Sequence, residues 1–161
     1  ASDVYKRQVH LRQPPVRIKV RGRMDLWSVK ETFLDAFYTR YGVEIEDGWT
    51  VVDIGAGIGD FSIYSAYGNP NAVIYAFEPF IDSYQLLIKN LTLNAIDNVI
   101  AFQRALWRQS GRLPLTFQAG NPCKSSARGQ RNQPILLAWI RLKRFPYRNF
   151  LTNKILSECT S

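Results

Sequence analysis

The chain has 161 residues, a formal net charge of +8 and a hydrophobic fraction of 46%, which is ordinary for a single globular domain. It contains no run of apolar residues long enough to cross a membrane and no signal-peptide pattern, so we expect a cytoplasmic protein without a transmembrane segment. Two cysteines and one histidine exclude a disulfide scaffold and a multi-histidine metal site, and we expect no metal.

The N-terminus is predicted to stand outside the fold. Residues 3–8 read like the translation of a sequencing-library adaptor, and the chain opens on Ala1 while its single methionine is Met24. We therefore expect residues 1–8 to be a non-natural leader that contributes nothing to the fold. A strand and a helix are expected to follow as an N-terminal extension over residues 9–49.

Within this extension, Val16–Val20 alternates apolar and polar residues, which predicts a half-buried strand. The pair Ser28 and Glu31 has the spacing of a capping box and predicts the start of a helix. That helix is expected to end at Gly42. Its apolar residues recur every four positions and are expected to lie in the core: Val29, Phe33, Phe37 and Tyr41.

From residue 50 onward, apolar runs alternate with helical patterns. Strands are predicted at 50–54, 72–77 and 99–102, and helices at 60–67 and from Asp82 or Ser83, the latter with a stripe formed by Tyr84, Leu87, Ile88 and Leu91. This order predicts an α/β fold with a doubly wound, mostly parallel, Rossmann-like sheet.

Patterns weaken after Phe102. Residues 113–117 and 135–142 are the remaining candidate strands, and residues 124–129 read as a polar loop. We expect the domain that spans residues 50–161 to be truncated and its sheet to be incomplete on the C-terminal side.

The most informative stretch joins the first parallel strand to its helix. It has the pattern D-x-G-x-G-x-G, formed by Asp53, Gly55, Gly57 and Gly59, with Ala56 between the first two glycines. Glycines allow positive φ angles and let the backbone approach a ligand closely. The spacing differs from the G-x-G-x-x-G of dinucleotide sites. An acid at position 53 would repel a pyrophosphate, but it suits the amino group of S-adenosylmethionine.

A second acid supports an adenosine cofactor. Glu78 ends the next strand and lies 19 residues after Gly59. A carboxylate at that place can accept hydrogen bonds from both ribose hydroxyls. Pro79 follows and stops the strand. The predicted cofactor-binding residues are Asp53, Gly55, Ala56, Gly57, Gly59 and Glu78.

These two segments, 52–62 and 75–79, resemble the first two motifs of FkbM-type methyltransferases, which are class I S-adenosylmethionine-dependent enzymes. The helix that ends in N-x-x-x-N at Asn90 and Asn94 resembles the family's next helix, and the resemblance extends from about Asp25 to about Ile155. It implies O-methylation of a hydroxyl on a sugar, lipid or other metabolite. Asp53 would then orient the methionine end of the cofactor, and Glu78 would hold the ribose.

The chain departs from the family pattern at several points. Gly57 stands where the family usually has asparagine, and residues 103–106 contain no acid for the adenine amino group. After Ile155 the family's acidic motif is missing, apart from Glu158. No residue can be assigned as a catalytic base. We therefore expect this chain by itself to have little or no methyltransferase activity.

Charge is unevenly distributed and leaves an alternative open. Residues 101–161 carry 11 basic residues and one acidic residue, whereas residues 51–100 carry 1 and 5. The basic third fits a solvated surface, or else a nucleic-acid methyltransferase or binding module. It lacks interleaved aromatic residues at the spacing of RNA-binding motifs, so a small-molecule, glycan or lipid acceptor is preferred over nucleic acid. A nicotinamide-dependent oxidoreductase is disfavoured by the glycine spacing. The sequence does not determine an oligomeric state.

Overall fold

The computed structural model of the protein describes residues 7–106 and, beyond them, the backbone of two strands at 115–118 and 121–127. The elements follow one another in this order: β1 (Arg7–His10), β2 (Arg17–Val20), α1 (Arg23–Phe33), β3 (Thr50–Ile54), α2 (Asp60–Ala66), β4 (Val73–Phe77), α3 (Ile81–Leu93), β5 (Val99–Phe102), β6 (Leu115–Gln118) and β7 (Asn121–Ala127).

Strands β3, β4 and β5 form a parallel sheet in that order. Asp53 pairs with Ala76, and Ala76 with Ala101 on the other side. Helices α2 and α3 provide the crossovers that parallel neighbours require. This confirms the predicted α/β fold with a parallel, Rossmann-like sheet. Because the strands are parallel, the loops after Ile54, Phe77 and Phe102 lie at one edge of the sheet, where ligands bind in such folds.

The main core joins the sheet, the helices and strand β2. Its members are apolar side chains that are almost completely buried, including Ile18, Val29, Ile63, Ala76, Leu86, Leu87 and Leu91. In α3 the predicted stripe is correct for Leu87 and Leu91, but Ile88 is exposed and Leu86 is buried in its place. Strand β2 therefore packs on α3 as part of the same core.

The N-terminal strands form an antiparallel hairpin, in which Arg7 pairs with Val20 and Gln8 with Lys19. The expectation that residues 1–8 contribute nothing to the fold is therefore wrong for Arg7 and Gln8. They form the first half of β1, and Val9 and His10 form the second half of its pairing with β2. Residues 1–6 lie outside the described part of the chain.

The predicted start and end of the first helix are both wrong. Helix α1 begins at Arg23 and ends at Phe33, so Ser28 lies in its middle and makes no capping box with Glu31. The hydroxyl of Ser28 instead donates to Asp60, which lies far away in the sequence. A tertiary hydrogen bond has replaced the local one that the S-x-x-E spacing predicts.

The segment after α1 turns back on itself, with a positive φ of 47° at Ala36. Consequently Phe37 is 43% exposed and Tyr41 is 82% exposed, contrary to the expectation that both lie in the core. Tyr38 takes the inward position, with its ring centroid 4.8 Å from that of Phe61. The four-residue recurrence of apolar residues extends to Tyr41, whereas helix α1 ends at Phe33.

Strands β6 and β7 pair antiparallel in a separate two-stranded sheet. Strand β6 overlaps the candidate strand predicted at 113–117. Strand β7 reaches Ala127, so the stretch predicted as a polar loop at 124–129 begins as a strand. The candidate strand at 135–142 lies outside the described residues.

Candidate cofactor site

The loop from Gly55 to Gly59, named the glycine loop below, closes on the end of the neighbouring strand. The amides of Gly55 and Ala56 both donate to the carbonyl of Phe77, at 2.9 and 3.0 Å. The amide of Gly59 donates to the carbonyl of Ala56 at 2.8 Å. The loop is thus held at the carboxyl ends of β3 and β4, where the sequence places it.

Two of the glycines are required for different reasons. Gly57 has a φ of 55°, and its amide points at the Glu78 carboxylate. Gly59 has a φ of 85°, and a Cβ atom there would lie only 3.1 Å from Cγ of Leu87. At position 57 the positive φ angle alone favours glycine. At position 59 the positive φ angle favours glycine too, and close packing against α3 leaves little room for a Cβ atom.

Glu78 is buried and binds the glycine loop through its carboxylate. Its Oε2 atom accepts the amide hydrogen of Gly57 and its Oε1 atom that of Phe80, both at 2.8 Å. Burial raises the pKa of this carboxyl, while the hydrogen bonds from Phe80 and Gly57 act in the opposite direction. A carboxylate oxygen can accept two hydrogen bonds, so each oxygen retains capacity for a ligand hydroxyl.

Asp53 is the next-to-last residue of strand β3, just before the glycine loop, and is 8% exposed. Its Oδ2 atom accepts a hydrogen bond from the Ser62 hydroxyl at 2.6 Å. Burial, together with the nearby carboxyls of Asp60 and Glu78, raises the pKa of Asp53 to about 7, although the hydrogen bond from Ser62 acts in the opposite direction. A cation beside this carboxyl would favour its ionised form, because opposite charges stabilise each other.

Asp60, the first residue of α2, is a further buried carboxyl, for which the sequence motifs indicate no role. Its Oδ2 atom accepts hydrogen bonds from the hydroxyls of Ser28, at 2.9 Å, and Thr32, at 2.5 Å. These two residues lie one turn apart on α1, so α1 is fastened directly beside the glycine loop. The S-x-x-x-T spacing is visible in the sequence, but nothing local indicates its acceptor 28 residues later.

Arg21 connects the hairpin to the same edge of the sheet. It forms a bidentate ion pair with Asp25, and its Nη1 atom donates to the Ser83 hydroxyl at 3.0 Å. Its charge also acts to lower the pKa of Glu78. Arg21, directly after β2, therefore joins α1 and α3 and acts electrostatically on Glu78, a grouping that the sequence motifs did not reveal.

The geometry of the loop fits an adenosine cofactor. A Cβ atom built on Gly55 would meet no described atom within 4 Å, and one on Gly57 would meet only the carbonyl oxygen of Gly55. The loop backbone thus borders open space, with the Asp53 and Glu78 carboxyls on the strand ends beside it. This arrangement offers acceptors for an ammonium group and for hydroxyls.

Other candidate sites are less suited to this chemistry. A cavity of about 310 Å³ is lined by residues that include Thr39, Glu44 and Tyr64, none of them from the glycine loop. Within the described residues, no group of three or more histidine, cysteine, aspartate or glutamate side chains could hold a metal ion. In the same part of the chain, no helix has the length and apolar character needed to span a membrane.

Residues 17–109, more than half of the chain, match the TRM5/TYW2 methyltransferase domain family. The chain belongs to this family. The match covers β2 to β5 and so includes the glycine loop, Glu78 and the Asp60 contacts. The family consists of S-adenosylmethionine-dependent methyltransferases, which confirms the enzyme class and the cofactor predicted from the motifs.

Individual relatives are similar over shorter stretches. The chain is 40% identical over 98 residues to "Methyltransferase sdnD" of Sordaria araneosa, which covers 60% of this chain and 37% of that protein. It is 42% identical over 50 residues to "31-O-demethyl-FK506 methyltransferase FkbM" of Streptomyces tacrolimicus, which covers 31% and 19%. The chain thus spans well under half the length of these curated relatives.

Among solved structures, a putative rRNA-methylase from Clostridium thermocellum is similar at 23% identity and a TM-score of 0.42. The likeness covers 57% of this chain and 55% of that one.

Proposed function

We propose that the chain carries the cofactor site of an O-methyltransferase of the FkbM type, acting on a hydroxyl of a sugar, a lipid or another metabolite. The methyltransferase family is the coarser finding on which this rests. The finer assignment is supported by the motifs at 52–62 and 75–79. It is also supported by the similarity to "31-O-demethyl-FK506 methyltransferase FkbM". The activity and the acceptor of the whole protein are part of the proposal.

The observation that carries the proposal is the pair of buried carboxyls on adjacent strand ends, with an open glycine loop between them. In this arrangement Asp53 binds the amino group of the cofactor, and Glu78 accepts hydrogen bonds from its ribose hydroxyls. Gly55, Ala56, Gly57 and Gly59 provide a backbone surface without side chains that would fill the space. When bound, S-adenosylmethionine would supply an electrophilic methyl group: the bond from the methyl carbon to the acceptor oxygen would form as its bond to the sulfonium sulfur breaks, leaving S-adenosylhomocysteine, and the hydroxyl proton would be released to solvent.

The rest of the chain's contribution is positioning. Alignment of the acceptor with the methyl group and exclusion of water account for most of the rate gain expected from a protein in such a displacement. The hydrogen bonds from Ser28 and Thr32 to Asp60 hold α1 beside the glycine loop, and we propose that this helix forms one wall of the cofactor crevice. We propose residues 50–161 as the cofactor domain and the preceding strand and helix as this wall.

Titration calorimetry with S-adenosylhomocysteine tests the site. We expect binding by the wild-type chain, and binding weakened about tenfold or more in Asp53→Asn and in Glu78→Ala, since each loses a charge-assisted hydrogen bond. Asp97→Asn is the matched control, because Asp97 is an exposed acid in the turn before β5. Equal affinities in all four proteins, or binding of NAD without binding of S-adenosylhomocysteine, would refute the assignment.

Transfer of a labelled methyl group by the whole protein to a panel of hydroxylated acceptors tests the reaction. We expect label on oxygen, which remains stable to conditions that hydrolyse esters. Labelling on nitrogen or carbon only would leave the cofactor site in place and refute O-methylation.

The nucleic-acid alternative rests on the basic residues of the last third. Most of these residues lie beyond the part of the chain that the structure describes. No observation on the described residues favours this alternative, so it is not proposed.

A further inference from the structure

Asn90 in helix α3 and Asn94, the residue that caps its C-terminus one turn later, bind strand β2 in the same way. Asn94 accepts the amide hydrogen of Arg17 at 2.8 Å and donates to the Arg17 carbonyl at 2.7 Å. Asn90 accepts the amide hydrogen of Lys19 at 2.8 Å and donates to the Lys19 carbonyl at 3.1 Å. Each carboxamide therefore satisfies the outward N–H and C=O of one strand residue, as a neighbouring strand would.

The spacing of the two elements explains why this works. Four residues of an α-helix rise about 6 Å, and two residues of a strand rise about 6.6 Å. Positions i and i+4 of α3 therefore match positions i and i+2 of β2. The N-x-x-x-N pattern closes the outer edge of the hairpin, which would otherwise present unpaired backbone groups.

Asn90 differs from Asn94 in one respect. Its Nδ2 atom also donates to the carbonyl of Ile58, within the glycine loop, at 2.9 Å. The second bond from Nδ2 of Asn94 goes instead to the carbonyl of Asn90 in its own helix. Asn90 is completely buried, so one side chain joins β2, α3 and the glycine loop without access to water.

A second contact also joins the glycine loop to this face of α3. Gly59 packs so closely on Leu87 that a Cβ atom would lie 3.1 Å from the leucine Cγ. Leu87 precedes Asn90 by three residues and thus lies on the same side of the helix. Two consecutive residues of the glycine loop therefore contact α3: Ile58 by a hydrogen bond and Gly59 by packing.

We infer that Asn90 is a positioning residue of the cofactor site, and that docking of the hairpin and binding of the cofactor are coupled through its carboxamide. This inference rests on the proposed function. A hairpin that leaves α3 removes two of the three hydrogen bonds that orient Asn90, so the Ile58 carbonyl loses a fixed donor. The coupling is reciprocal, so a bound cofactor must stabilise the docked hairpin by the same factor.

A pair of matched variants tests the role of Asn90. Asn90→Asp and Asn94→Asp each keep the size and the acceptor oxygen, and each removes donation to one β2 carbonyl. Only Asn90→Asp also removes donation to the glycine loop. We expect the dissociation constant of S-adenosylhomocysteine to rise about tenfold in Asn90→Asp and less than about twofold in Asn94→Asp.

Equal affinities in the two variants would overturn the inference, since hairpin docking alone would then explain both. Failure of the wild-type chain to bind S-adenosylhomocysteine would refute the proposed function instead. The two failures are therefore distinguishable.

Hydrogen exchange on the wild-type chain provides a second test, which holds even where Asn90→Asp does not fold. We expect saturating S-adenosylhomocysteine to slow exchange of the β2 amides at residues 18–20, in addition to those of the glycine loop. Protection confined to the glycine loop would show that the hairpin is not coupled to the site.

Discussion

The buried polar groups on the two sides of the glycine loop differ in the number of their hydrogen-bond partners. The helix flank is the side that carries Asp60 and Asn90, and the strand flank is the side that carries Asp53 and Glu78. On the helix flank, the Asp60 carboxylate receives two hydroxyl hydrogen bonds, and the Asn90 carboxamide makes three hydrogen bonds to backbone. On the strand flank, Asp53 has one donor among the described residues, the Ser62 hydroxyl. Burial raises the pKa of both carboxyls, that of Asp53 to about 7, so the two flanks differ in the number of hydrogen-bond partners. One flank is satisfied by the protein, and the other keeps a buried carboxyl with a single hydroxyl partner.

This difference separates residues that hold the fold from residues that suit a ligand. A buried group with full hydrogen bonding stabilises a structure, whereas a buried carboxyl with few partners opposes it. Groups of the second kind occur more often at functional sites than elsewhere. The contrast predicts opposite effects of substitution at two positions: loss of stability at Asp60 on the helix flank, and gain of stability with loss of binding at Asp53 on the strand flank.

The largest effect is expected for Asp60→Ala. It leaves the Ser28 and Thr32 hydroxyls without their acceptor and opens space between α1 and α2, so the free energy of unfolding should fall by about 3 kcal/mol. Urea denaturation measures it. Asp60→Asn, which retains an acceptor oxygen, should recover more than half of the loss. A variant as stable as wild type would break the distinction between the flanks.

The next effect is expected for Asp53→Asn, which should stabilise the protein above neutral pH. The folded pKa of Asp53 is about 7, above the unfolded value of 3.8. The stability that Asp53 contributes is therefore present below the unfolded pKa and lost as the pH rises through 7. Between pH 5 and pH 8 the variant should gain about 2–3 kcal/mol relative to wild type.

Denaturation curves of both proteins at several pH values measure this gain. The other titrating groups are common to both proteins, so the difference isolates Asp53. A constant difference across this pH range would show that Asp53 has an ordinary pKa.

Binding of S-adenosylhomocysteine should depend on the same titration. Because the cofactor's ammonium group favours the ionised carboxylate, affinity should rise about tenfold from pH 6 to pH 8, as Asp53 loses its proton. Calorimetry in buffers of different ionisation enthalpy should also show proton release near neutral pH. In Asp53→Asn this pH dependence should be much weaker, and an unchanged dependence would assign it to another group.

A smaller effect should separate conformation from packing in the glycine loop. Gly59 and Gly48 both have positive φ angles, 85° and 79°, but only at Gly59 would a Cβ atom meet another side chain. Gly59→Ala should therefore cost about 1 kcal/mol more than Gly48→Ala. Thermal unfolding measures both, and equal losses would show that Leu87 yields without cost.

The smallest effect is expected outside both flanks. Tyr41 is 82% exposed, so Tyr41→Ser should change the free energy of unfolding by less than about 0.5 kcal/mol. Tyr38→Ser, which removes the ring packed on Phe61, serves as the contrasting variant and should be clearly destabilising. A large fall in the free energy of unfolding for Tyr41→Ser would show that Tyr41 lies in the core, as the sequence predicts.

Local patterns in the sequence were sufficient for the sheet and for the strand flank. The runs at 50–54 and 99–102 are strands, and the acid, the glycines and Glu78 follow at strand ends, because alternation, turn residues and strand order act over a few neighbouring residues. Their roles in cofactor binding stay a prediction.

Only the tertiary structure decided the ends of α1, the exposure of Tyr41 and the partners on the helix flank. Ser28 reaches Asp60 across 32 residues, and Asn90 reaches Lys19 across 71. A hydroxyl or a carboxamide can satisfy its hydrogen bonds with any suitably placed group. Spacing along the chain reveals such a residue only when its partner is local, and here the partners are brought together by the packing of α1 and β2 against the glycine loop and α3.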